Sequence, residues 1–119
     1  MSERVGARGE HLRALQTKGM TIRTSEGDAV LAVNATDTAA SAGKADLVFL
    51  ATKAYSNPVA IEAIRPLVGP TCPVLSIQNG LGAPDRLAQI VGEEQVAIGV
   101  VGGFGASMIG PGHAHHNGW

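Results

Sequence analysis

Between Asp46 and Val101 the chain alternates between short apolar runs and amphipathic stretches, and nothing else in it constrains the fold as strongly. Asp46-Leu-Val-Phe-Leu-Ala51 is a continuous apolar run of strand length, the pattern of a strand buried on both faces. It stops at Thr52-Lys53-Ala54-Tyr55. Ser56-Asn-Pro58 then predicts a helix start, with Ser56 or Asn57 as N-cap and Pro58 at the first helical position. Ile61, Ile64, Leu67 and Val68 fall on one face of that helix, and Gly69-Pro70 ends it. A second strand is expected from Pro73 to Gln78. It breaks through Gln78-Asn79-Gly80-Leu81-Gly82 into a helix opening at about Ala83-Pro84-Asp85. Leu87, Ile90 and Val91 form the expected buried stripe, Gly92 stops the helix, and Gln95 to Val101 is a third β-run. Strand, helix, strand, helix, strand with short connections is a βαβαβ unit, so the expected fold class is α/β with a mainly parallel sheet.

The flanks are less regular. Met1 to Gly9 carry no secondary-structure signal. His11 to Lys18 predicts a short helix, with a cation in its last turn and Gly19 beyond it. Met20–Thr24 and Ala29–Val33 predict a hairpin around a four-residue loop, Ser25 to Asp28. Thr36-Asp37-Thr38 is placed to cap an Ala-rich helical turn ending near Gly43. After Gly102 the pattern predicts two short strands joined by Gly110-Pro-Gly112.

With 119 residues, 45% of them hydrophobic and 16% charged, the chain has the material for one domain with a core. Nine basic against ten acidic residues leave a net charge of −1, which gives no electrostatic footprint for nucleic acid or an anionic membrane. Single Cys72 rules out an internal disulfide framework and fits a reducing compartment. No run of about 18 apolar residues and no leader pattern is present, so the expected location is cytoplasmic.

Two polar side chains stand at the carboxyl ends of consecutive expected strands: Lys53 after the first and Asn79 after the second. Open α/β sheets bind ligands along that edge, and helix N-termini there favour anions. Gly80-Leu81-Gly82 has half of a dinucleotide fingerprint, but Asp85 occupies the third glycine's position, so the segment reads as a turn. Arg4 and Arg8 are either surface residues or, as planar forks after an early strand, readers of a 2′-phosphate. His113, His115 and His116 offer imidazoles to a metal or a polar surface to a partner, with no carboxylate or thiolate set to complete a metal site.

Taken together, four stretches resemble the N-terminal domain of the ketopantoate reductase (2-dehydropantoate 2-reductase) family. They are Ala7-Arg-Gly-Glu-His-Leu12, Asp46-Leu-Val-Phe-Leu-Ala-Thr-Lys-Ala-Tyr55, Val74-Leu-Ser-Ile-Gln-Asn-Gly-Leu-Gly82 and Gly110-Pro-Gly-His113. The resemblance implies hydride transfer from NADPH to the ketone of ketopantoate, a 2-oxo acid, on the route to pantothenate. It implies that Arg8 contacts the 2′-phosphate of the cofactor and that Lys53 lines the cofactor and substrate cleft. Asn79 would lie by nicotinamide and substrate, with Gln78 and Gly80 shaping the same loop. Family members begin with a strand and a G-x-G-x-x-G turn and carry a helical C-terminal domain holding the general-acid lysine; neither occurs in this sequence. The implied fold is therefore an incomplete Rossmann-like, doubly wound sheet. Residues 1–119 form a partial NADP-binding domain with little catalysis of its own. The flank of the Asp46 strand left open predicts a marginal fold, or one that recruits a second copy of the chain to cover that edge. A non-catalytic α/β remnant, or an interaction or metal-binding module using His113 to His116, stay open as alternatives.

Overall fold

The computed structural model of the chain describes residues 3–53, 56–78 and 82–117, with Asn57 described by its backbone alone. In chain order the elements are β1 (Arg4–Gly6), α1 (Gly9–Lys18), β2 (Met20–Thr24), β3 (Gly27–Leu31), β4 (Asn34–Thr36), α2 (Ala39–Ala42) and β5 (Val48–Leu50). They continue as α3 (Asn57–Ile64), β6 (Val74–Ser76), α4 (Ala83–Val91), β7 (Val96–Ile98), β8 (Ala106–Gly110) and β9 (His113–His116). The chain divides into two units, residues 39–101 and residues 1–38 with 102–119.

Residues 39–101 hold the expected βαβαβ unit. Its strands lie in the order β5-β6-β7, all parallel, with Val48, Val74 and Val96 in register and Leu50, Ser76 and Ile98 two residues on. Leu50, Ile61, Val74 and Leu87 form the core, and Ile64, Val68, Val91 and Val96 pack around it. The strand order advances in one direction. Two crossovers of the same hand therefore deposit both helices on the same face.

That geometry corrects the expectation that the first strand is buried on both faces. Phe49, at the centre of β5, is 62% exposed, and its register partners Leu75 and Ala97 are half-buried and exposed. Two further readings shift. The α3 helix ends at Ile64 and tightens into a 3₁₀ turn over Arg65–Leu67, because Pro66 has no N–H to continue the helical ladder. On α4 the inward line is Ala83, Leu87 and Val91, spaced by four, with the first two buried and Val91 half-buried; Ile90 sits off it and is 37% exposed.

In the other unit β1 pairs in parallel with β4, Val5 opposite Ala35, and Ala7 N–H donates to the Thr36 carbonyl at 3.0 Å. Neither strand has a signal of its own in the sequence; a three-residue strand is specified by its partner. Leu15 on α1 and Ala35 on β4 are the buried pair, and Gln16 Nε2 donates to the Ala35 carbonyl at 3.1 Å. A mixed sheet in the order β3-β2-β9-β8 completes the unit, with β2 parallel to β9 and antiparallel to β3. The hairpin between β2 and β3 is tighter than its sequence suggests. Thr24 pairs with Gly27, leaving only Ser25 and Glu26 in the turn, because Thr24 Oγ1 accepts Glu26 N–H and donates to the Gly27 carbonyl. Thr36 likewise closes a local turn, accepting Thr38 N–H at 3.2 Å just before the short α2. The tail forms the expected antiparallel pair β8–β9 around Gly110-Pro-Gly112.

Candidate active site

The best-defined polar arrangement lies where β5 and β6 end. Backbone pairing between them runs as far as Ile77 N–H on the Leu50 carbonyl, 3.1 Å. One step further a side chain takes over. Gln78 Nε2 donates to the Thr52 carbonyl at 2.7 Å and approaches Thr52 Oγ1 at 3.1 Å. A carbonyl only accepts, so the amide's NH₂ end must face Thr52. Its Oε1 lies a long 3.5 Å from the hydroxyl of Ser76, a polar residue only 2% exposed. Lys53 follows directly, exposed, its carbonyl accepting Ser56 N–H at 2.9 Å in the turn that leads into α3. The 26-residue offset between Thr52 and Gln78 is the β5–β6 register itself, and the same offset separates Lys53 from Asn79 in sequence. Asn79 and Gly80 lie outside the described residues. Gly82 is the N-cap of α4 in a left-handed conformation, φ 83°, and Asp85 is exposed in the first helical turn. Gly82 thus has a turn-forming role that explains it without a phosphate.

Arg8 directly precedes α1, in extended backbone (φ −140°, ψ 161°), just beyond the carboxyl end of β1. It is exposed, and its carbonyl accepts Leu12 N–H at 3.1 Å. Sequence reasoning passed over His11, three residues on. Its Nδ1 accepts the N–H of buried Gly112 at 2.9 Å, so the first and last of the four motif stretches are joined directly. A signal existed: His11 and Gly112 both lie inside stretches singled out by resemblance, but only the tertiary fold pairs them.

His113, His115 and His116 lie on β9 at half-buried positions, with His113 and His115 opposite Thr21 and Arg23 of β2. The His116 ring packs 5.0 Å from Phe104, and His113 Nε2 is buried without a partner among the described residues. Among the described residues no group of three or more His, Cys, Asp or Glu side chains converges to hold a metal. No helix among them is long and apolar enough to cross a membrane. Cys72 is buried in a tight turn, exchanging backbone hydrogen bonds with Gly69. Burial, and to a lesser degree the negative charge of Asp46, push its thiol above the ordinary 9.0. A thiol held neutral in this way is a poor nucleophile.

Residues 4–119 match the family model described as ketopantoate reductase PanE/ApbA. The chain belongs to the ketopantoate reductase family. A 2-dehydropantoate 2-reductase of Pyrococcus abyssi is 38% identical over 105 residues, covering 88% of this chain and 33% of that protein. The crystal structure of a PanE/ApbA family ketopantoate reductase from Ralstonia eutropha superposes with a TM-score of 0.85 at 32% identity, covering 97% of this chain and 38% of the other. The parallel strands of this chain and its match to that ketopantoate reductase structure establish the Rossmann-like α/β class. At 23% identity, a D-mandelate dehydrogenase solved with NADH and anilino(oxo)acetate shares the fold, with a TM-score of 0.85 over 97% of this chain and 37% of its own. The chain spans about a third of the length of the curated relatives it matches.

Proposed function

We propose that this chain is the nucleotide-binding part of a cytoplasmic, NADPH-dependent oxidoreductase that reduces the ketone of a 2-oxo acid, ketopantoate, in pantothenate biosynthesis. The observation that carries the reading is the family match over residues 4–119 together with Thr52-Lys53 and Gln78 at the ends of two paired parallel strands. Each unit offers a cation suited to phosphate: in one an exposed guanidinium at Arg8 follows a parallel strand, and in the other an exposed ammonium at Lys53 does.

In this reading Arg8 grips the 2′-phosphate, while Lys53 lines the cleft shared by cofactor and substrate. Asn79 lies beside the nicotinamide and the substrate carbonyl, and Gln78 and Gly80 shape its loop. The cofactor, when bound, supplies the hydride. Negative charge then builds on the carbonyl oxygen, and a fixed cation from Lys53 with an amide donor from Asn79 stabilises it. A second copy of the chain covers the edge of β5, which among the described residues pairs with β6 alone.

Titration of the chain with NADPH tests the reading through nicotinamide fluorescence. A saturable change is expected. Arg8→Ala should raise Kd for NADPH about tenfold while leaving that for NADH nearly unchanged, the 2′-phosphate being the only difference between the two. No saturable signal with either nucleotide would sink the proposal.

A further inference from the structure

We infer that Gln78 is a positioning residue, whose amide clamps the peptide in front of Lys53 and so sets the direction in which that lysine leaves the sheet. The inference rests on the reading of Lys53 as a cleft residue.

A side chain's direction from the backbone is set by the orientation of the two peptide planes that meet at its Cα, which together define φ and ψ. Both planes at Lys53 are held. The plane before it contains the Thr52 carbonyl, which takes Gln78 Nε2 at 2.7 Å; the plane after it contains the Lys53 carbonyl, which takes Ser56 N–H at 2.9 Å. The second bond is local, three residues apart, and belongs to the turn opening α3. The first crosses 26 residues and ties the loop to the neighbouring strand. Ala51, Thr52 and Lys53 are all exposed, so packing does little to hold this stretch. Hydrogen bonds must do so instead.

The chemistry asks for glutamine. A glutamate of the same shape would turn a carboxylate oxygen toward the Thr52 carbonyl, and leucine would fill the space without donating. The long Ser76 hydroxyl contact with Oε1 favours the amide orientation that the clamp needs.

The test uses the 119-residue chain and two independent readouts. The first needs no nucleotide: the ¹⁵N order parameter of Lys53. It should lie near the rigid value of about 0.85 in the parent and drop to about 0.6 or lower in Gln78→Leu and Gln78→Glu, with α4 unchanged. An unchanged value at Lys53 overturns the clamp. The second is NADPH affinity. Gln78→Leu should weaken it about tenfold, and Thr52→Ser, which keeps both acceptors, should bind like the parent. In a Lys53→Ala background Gln78→Leu should cause no further loss, because the glutamine acts through the lysine. Fully additive losses would mean that Gln78 touches the nucleotide itself or acts globally, and would overturn the inference. If the parent binds no NADPH, the functional reading falls, while the order parameter at Lys53 still decides the clamp.

Discussion

Each of the two units of this molecule is held together internally by its own means. In residues 39–101 four side chains of different elements, Leu50, Ile61, Val74 and Leu87, are 0–3% exposed and in mutual contact. In the other unit the buried hydrophobics among the described residues are Leu15 and Ala35, while Val30, Leu31, Met108 and Ile109 are 46–65% exposed. That second unit depends on strand register and on single long-range hydrogen bonds, such as His11 Nδ1 on Gly112 N–H and Gln16 on the Ala35 carbonyl. Apolar burial is additive and forgiving of detail, whereas a buried hydrogen bond is all or none. The first unit should therefore respond to loss of volume and the second to loss of a donor or acceptor.

Leu87→Ala should show the largest effect, a destabilisation of roughly 2–5 kcal/mol in urea denaturation, because the side chain is fully buried between helix and sheet. A loss under about 1 kcal/mol would mean that this core is loose, and the contrast would fail. His11→Phe should come next, at roughly 1–3 kcal/mol, since it keeps the apolar bulk but leaves the buried Gly112 N–H unpaired. Unchanged stability would show that this unit is not organised by hydrogen bonds.

A smaller, pH-dependent effect is expected at Cys72. Its thiol is raised in the folded state, so the folded chain holds the proton more tightly than the unfolded chain. The resulting stability is present in full below about pH 9 and is lost as pH rises through the folded-state value. Cys72→Ala should flatten the alkaline limb of a stability–pH curve; an identical slope in the variant would contradict this. The smallest effect is expected at Phe49→Thr. That residue faces away from α3 and α4 and is mostly exposed, so stability should stay within about 0.5 kcal/mol despite the loss of an aromatic ring from mid-strand. A core-sized loss would show that the outer face of β5 is covered in solution.

The same division explains what could be read in advance. The β5–α3–β6–α4–β7 alternation was legible because each element carries its own periodicity and punctuation, Pro58 and Pro84 near the helix starts and Gly92 at a helix end. Exposure of Phe49 was not legible. A run such as Leu47-Val-Phe-Leu50 reports hydrophobicity, not how many faces find a partner, and that depends on both crossovers landing on one side. β1 and β4 were invisible for a related reason, since Arg4-Val-Gly6 becomes a strand only when Asn34-Ala-Thr36 lies beside it.

The site divides in the same way. Residue type and spacing pointed to Lys53 and Asn79, because a cation and an amide after consecutive expected parallel strands are rare enough to notice, whereas Arg8 took its role only from the family resemblance. They could not supply the 2.7 Å bond from Gln78 to Thr52, or the pairing of His11 with Gly112 across 101 residues. Composition and periodicity are local properties of a chain, and they determined its class and those elements that carry a pattern of their own. Which carbonyl an amide reaches depends on distances between segments far apart in sequence, and only the tertiary fold sets those.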